Sequence, residues 1–275
     1  MGGLQSLLYD DAADSDENRV DIDDDPAEPV RHVRWLLSEL GLPMELVLDI
    51  MDLAEYYPAV FAERSDPVRM RSDQHTRGDN CSALLYLVSP LLPAGKEGEN
   101  WRMKSVTWHI EGRDQGWGGE QQGIIVRIGT FHGSYSWYEA CILRPIDYDP
   151  ETLKAQSDRL DAILSTHDLH RTTADFVPIA QQAGWTLVPD AEDRYAWHVQ
   201  SNKVAEAAFE RYAVEWRAGQ SFDTQDAEEH GYGNGTGFLQ ALRPGDRVGL
   251  VMRAQYGGWE NLLRYADVKL VYDVR

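Results

Sequence analysis

Alternation with a period of two constrains this chain more than any other feature. Val106, Trp108 and Ile110 alternate with Thr107, His109 and Glu111, and the same period recurs in Tyr195, Trp197, Val199 and in Tyr212, Val214, Trp216. It returns in Val248, Leu250, Met252 and in Val268, Leu270, Tyr272. Successive side chains of a strand point to opposite faces, so each run is a strand with one face to bury. Residues 122–128 and 135–143 add two further aromatic or β-branched runs. Strands of this kind close their apolar faces by packing sheet on sheet. The expected fold is therefore mainly β, an antiparallel β-sandwich of jelly-roll type, spanning residues 101–275.

Two segments carry a different period. In 31–63 the apolar residues fall at helical intervals, with Leu46, Ile50 and Leu53 as the stripe and Val47 and Met51 widening it. Pro43 sits where a first helical turn tolerates a missing N–H, and a second helical stretch at 31–40 precedes it. Such a pair is too small to close its own core, so it must dock on the main domain or on a partner. Residues 150–170, with Leu153, Leu160, Ile163 and Leu164, predict a helix inserted between strands. Residues 64–100 read as a linker around a short apolar run at 83–88.

Charge excludes several functions. The net charge of −20 opposes the counterion release through which proteins hold nucleic acid, so nucleic-acid binding is not expected. Residues 1–30 hold ten Asp and Glu against one Arg and read as a solvated acidic tail. No stretch is long and apolar enough to span a bilayer, and the N-terminus lacks the basic and apolar regions of a signal peptide, which implies the cytosol or nucleus. Cys81 and Cys141 then read as free thiols.

The motifs that suggest chemistry fail on context. GYGNGTGF, 231–238, has no Gly-Lys-Ser/Thr ending and no surrounding βαβ unit, so it is a sandwich loop rather than a phosphate cradle. His167 and His170 have the spacing to share a helix face but lack a third ligand, and no metal or cofactor is expected. Glu111 and Glu139 are the carboxylates a jelly-roll glycosidase would pair, yet Glu111 alternates out of phase with the apolar face, as a solvent-facing residue does. No catalytic residue is assigned.

The stretch HIEGRDQGWGG, 109–119, places Arg113, Asp114, Gln115 and Trp117 among glycines. An echo longer by two residues, Arg253, Gln255, Gly258 and Trp259, follows a later strand. Arg, Gln and Trp pair flat apolar bodies with polar handles, the chemistry that stacks on sugars or anchors a partner. Arg113, Gln115, Trp117, Gln255 and Trp259 are accordingly the candidate binding residues, as two similar turns at one end of a sandwich. A glycan is the alternative to a protein ligand.

Two resemblances add to this reading. DQGWGG with GTFHGSYSWYEACILRP and RAQYGGWEN resembles a group of uncharacterised fungal proteins over about 101–145 and 235–275. LPMELVLDIMDLAEYYP, 42–58, resembles the opening of an F-box, whose LPxEL…I core helps bind the Skp adaptor of SCF ubiquitin ligases. Leu42, Pro43, Glu45, Leu46 and Ile50 carry that match. The resemblance implies an interaction protein, with an F-box-like segment coupling a partner-recognising sandwich to other machinery.

Overall fold

The computed structural model describes residues 25–72, 80–117, 128–165, 168–220 and 229–275. The acidic tail up to residue 24, most of the run at 122–128, and His167 lie outside the described residues.

Two five-stranded antiparallel sheets face each other. The first comprises β1 (Ala59–Arg64), β2 (Val68–Arg71), β4 (Trp101–Arg113), β8 (Glu210–Arg217) and β10 (Glu260–Val274). Its order is β1-β10-β4-β8, and β2 shares an edge of β10 with β1. The second comprises β3 (Cys81–Val88), β5 (Ser136–Pro145), β6 (Trp185–Leu187), β7 (Trp197–Ser201) and β9 (Arg247–Gln255), in the order β3-β9-β5-β6 with β7 also on β5. When β1 with β2 and β6 with β7 are each counted as one broken strand, the chain crosses between sheets after every strand except β5. Its neighbours then follow jelly-roll order.

The alternating residues meet between the sheets. Val106, Trp108 and Ile110 of β4 and Val268, Leu270 and Tyr272 of β10 bury against Tyr138, Ala140 and Ile142 of β5 and Leu250 and Met252 of β9. Trp108 and Trp216 meet edge to face with ring centres 6.3 Å apart.

The observed architecture differs from the expected one at its boundaries. The sandwich begins at Ala59 rather than at 101, because the expected linker contains β2 and β3 and the end of the expected helical segment is β1. β1 holds only six residues and β2 four, too short to show a period, and β3 is nearly continuously apolar because it is buried on both faces. The inserted helix forms as α3 (Pro150–Leu164), shorter than expected, and with a short helix α4 (Val177–Gln182) it covers the outer face of the second sheet. Leu153, Leu160, Phe176 and Ala180 pack there on Leu85, Cys141, Leu143 and Val251. That third layer is why every residue of β9 from Arg247 to Ala254 is buried. His170 lies beyond α3, bridging Ala83 through two backbone hydrogen bonds.

The N-terminal helices form as expected, α1 at Glu28–Glu39 and α2 at Met44–Leu53, with Pro43 as the residue preceding the first turn of α2. They bury one edge of the expected stripe and leave the rest exposed. Val47 and Met51 pack with Val30, while Leu46, Ile50 and Leu53 face outward.

Candidate functional site

The turn after β4 and the turn joining β9 to β10 converge at one end of the sandwich, since Arg113 at the end of β4 pairs in register with Leu262 near the start of β10. Asp114 is completely buried and organises this end. Its Oδ1 accepts the Gly116 N–H at 2.8 Å, an Asp turn closed over a glycine with φ of 78°. Its Oδ2 accepts the Ala205 N–H at 2.5 Å, so one carboxylate pins the β4 turn to the loop before β8. Burial pushes the Asp114 carboxyl up to about 6, and the backbone hydrogen bonds oppose that rise without cancelling it.

Gln115 and Trp117 join the other turn. The Gln115 Oε1 accepts the Glu260 N–H at 3.2 Å, and its Nε2 donates to the Trp117 carbonyl at 2.7 Å. Gly258, at φ of 90°, lies under the Trp117 ring, where a Cβ would stand 3.3 Å from Cη2. Trp117 is thereby held on the turn while 62% of it stays exposed. Trp259 is different: it is buried, edge to face with Tyr135 at 5.2 Å, and Tyr135 in turn meets Tyr256 at 4.5 Å. Gln255 is half-buried at the end of β9, where its N–H bonds to the Tyr135 carbonyl. Arg113 lies over the Phe209 ring at 5.1 Å. The five candidate residues therefore share one end of the molecule, and Trp117 is the one that presents a large free surface.

The echo between the two turns does not extend to their arginines. Arg253 is buried inside β9, where its guanidinium donates to Glu139 Oε2 at 2.7 Å and lies over the Trp137 ring at 5.1 Å. Glu139 also accepts from Thr173 Oγ1 and from Trp137 Nε1 at 2.8 Å, so its carboxylate is committed to structure. Glu111 lies on the outer face of the first sheet, paired with Arg211 at 3.0 Å and Arg264 at 2.5 Å. The Arg264 hydrogen bond, with Arg211, holds the Glu111 carboxyl down at about 2. Glu111 and Glu139 occupy outward faces of opposite sheets. At a sheet spacing of ~10 Å they cannot flank one glycosidic bond.

A second surface is built by the helical pair. Leu46 is 50% exposed, Ile50 44% and Leu53 92%, and Trp35, Leu36, Leu40 and Met44 of the two helices are exposed as well. Leu42 is half-buried against the small helical core, and Pro43 is exposed at the start of α2. At 3.6 residues per turn Leu46, Ile50 and Leu53 fall within about 60° of one another, so they form one stripe. The other side of the pair is fixed to the sandwich by polar contacts. Arg31 pairs with Glu99 at 2.7 Å and with Asp25, Arg34 donates to the Val274 carbonyl, and Arg275 pairs with Asp52. Tyr57 donates to Asp52 at 2.7 Å, and burial with this bond pushes its hydroxyl up to about 12.

No family model, curated protein or solved structure matches this chain. The two surfaces therefore stand on their own geometry. Among the described residues, no group of three or more His, Cys, Asp or Glu side chains is placed to hold a metal ion, and no helix is long and apolar enough to cross a membrane.

The sequence reading missed two features. The role of Asp114 was legible as an Asp two residues before a Gly, the pattern of an Asp turn. The outward direction of Trp35, Leu36, Leu40 and Met44 had no local signal, because helical spacing shows that a stripe exists and not which neighbour covers it.

Proposed function

We propose that this protein is an interaction module in which the α1–α2 pair docks a partner and the jelly roll presents a recognition surface beside it. The observation that carries this reading is the exposed stripe of Leu46, Ile50 and Leu53, together with four further large apolar side chains on the same two helices. Scattered surface leucines need no explanation, but an exposed apolar stripe along one helix is the usual form of a helix-docking site. The F-box resemblance falls on the same residues and names the Skp adaptor of an SCF complex as the partner to test first. On that reading the chain is a fungal F-box-like adaptor working in the cytosol or nucleus, and the sandwich end bearing Trp117 selects what is recruited.

The test is a pull-down of purified Skp adaptor by the native chain and by Leu46→Asp, with circular dichroism and a thermal melt run on both. Because Leu46 is half exposed and Val47 and Met51 hold the small core, the variant should fold. Adaptor retained by the native chain and lost with the folded variant supports the proposal. Equal retention, or none by either, refutes the adaptor role.

A second reading gives the sandwich end a glycan ligand, with an apolar sugar face stacking on Trp117. The exposed ring, clamped from below by Gly258, is the observation that favours it.

A further inference from the structure

The charge around the helical pair goes beyond docking in general and selects a class of partner. Residues 35–63 contain no Lys or Arg at all. The cations that α1 does carry are turned away from the stripe: Arg31 is committed to Glu99, Asp25 and Glu28, and Arg34 to the Val274 carbonyl. The acids are not neutralised in the same way. Asp52 and Glu55 are paired with Arg275 and Arg217 across the junction with the sandwich. Glu39, Glu45 and Asp49 are exposed and stand in no ion pair among the described residues. Glu45 and Asp49 are one helical turn apart, so they lie in a row alongside Leu46, Ile50 and Leu53. The result is an apolar stripe flanked by free carboxylates.

We infer that the occupant of this face is a basic amphipathic helix, with leucine-type side chains on one side and Lys or Arg on the flank that meets Glu45 and Asp49. Apolar spacing at three and four residues on α2 fits the same spacing on a partner helix. The unpaired carboxylates steer cationic segments toward the face and oppose acidic ones. This inference rests on the docking role proposed above and adds the chemistry of the partner.

The probes are two labelled synthetic helices of about 18 residues, both with leucine at helical spacing and with either lysine or glutamate on the remaining surface. Binding to the full chain is read by fluorescence anisotropy at two salt concentrations. The lysine peptide should bind at least about tenfold more tightly than the glutamate peptide, and the difference should shrink as salt screens it. Leu46→Ser with Ile50→Ser should weaken the lysine peptide about tenfold or more. Glu45→Gln with Asp49→Asn should weaken it about threefold or more and flatten its salt dependence. Glu192→Gln with Asp193→Asn makes the same change of charge in an exposed loop far along the chain, and it should leave binding within about twofold. A melt confirms folding of each variant, and Leu53→Ser, at a side chain 92% exposed, replaces the first pair if it unfolds. An equal response to the loop variant and the rim variant would overturn the inference, because the attraction would then be the general charge of the chain. A glutamate peptide bound as tightly in a Leu46-dependent way would overturn the basic character of the partner while leaving the docking face intact. Binding of neither peptide would refute the inference, and the Skp pull-down would still decide the adaptor role.

Discussion

Asp114 offers the most quantitative test of this structure. Its carboxyl titrates at about 6 in the folded chain against an ordinary value of 3.8, because desolvation outweighs the backbone N–H bonds that it accepts. A carboxyl raised on folding binds its proton more tightly in the native state. Stability from this group is therefore fully present below about 3.8 and is lost as pH rises through about 6. The full shift is worth about 3 kcal/mol at 1.36 kcal/mol per pH unit. The sequence pI of about 4.7 sets a practical floor, since a chain near zero net charge associates. Between pH 5 and pH 7.5 the linkage relation leaves about 1.4 kcal/mol of the loss within reach. Asp114→Asn keeps a carbonyl acceptor in the same place and cannot titrate, so it serves as the reference. Urea denaturation followed by Trp fluorescence should show the native chain losing about 1.4 kcal/mol relative to this variant over that range. Asp114→Ala should be the least stable of the three at every pH, since it removes the acceptor of the part-buried N–H groups of Gly116 and Ala205 at about 1 kcal/mol each. Parallel pH profiles for the native chain and Asp114→Asn would refute the reasoning. A native chain that gained on the variant with rising pH would show that the hydrogen bonds outweigh burial.

Two further expectations concern the core and the exposed turn. A Cβ on Gly112 would overlap the Tyr138 hydroxyl and stand 3.1 Å from the Leu262 carbonyl, so Gly112→Ala should cost about 2–4 kcal/mol in urea denaturation by displacing a buried ring that bonds Asn202. Full stability in that variant would mean that the two sheets do not approach so closely there. Titration with a panel of sugars should quench Trp fluorescence saturably if the jelly roll binds glycans, and Trp117→Ala should abolish the response; quenching that survives the substitution would place any sugar site elsewhere.

How much could be read from the residues alone varied along the chain for physical reasons. Trp108, Val214, Leu250 and Leu270 announce their strands because a half-buried strand must alternate, and that is a local property. Ala59–Arg64 and Val68–Arg71 are too short to show a period, and Cys81–Val88 hides it by being buried on both sides. At the candidate site the resemblance between the β4 turn and the β9–β10 turn was visible in Gln115, Trp117, Gly258 and Trp259. Register across β4 and β10 decided that the turns meet, and that Trp259 is buried while Trp117 is free.

By itself, then, the sequence determined the period of each long strand, the helical spacing of α1 and α2, and the concentration of negative charge, because each depends on neighbours within a few residues. The tertiary structure alone decided which face each stripe turns to solvent. Val47 and Met51 are buried with Val30 of the other helix, whereas Leu46, Ile50 and Leu53 are left exposed. Helix α3 became a third layer because the outer face of the second sheet offered Cys141, Leu143 and Val251 for it to cover. An amphipathic segment encodes that it has an apolar side, and only contact between segments distant in sequence settles what that side will touch.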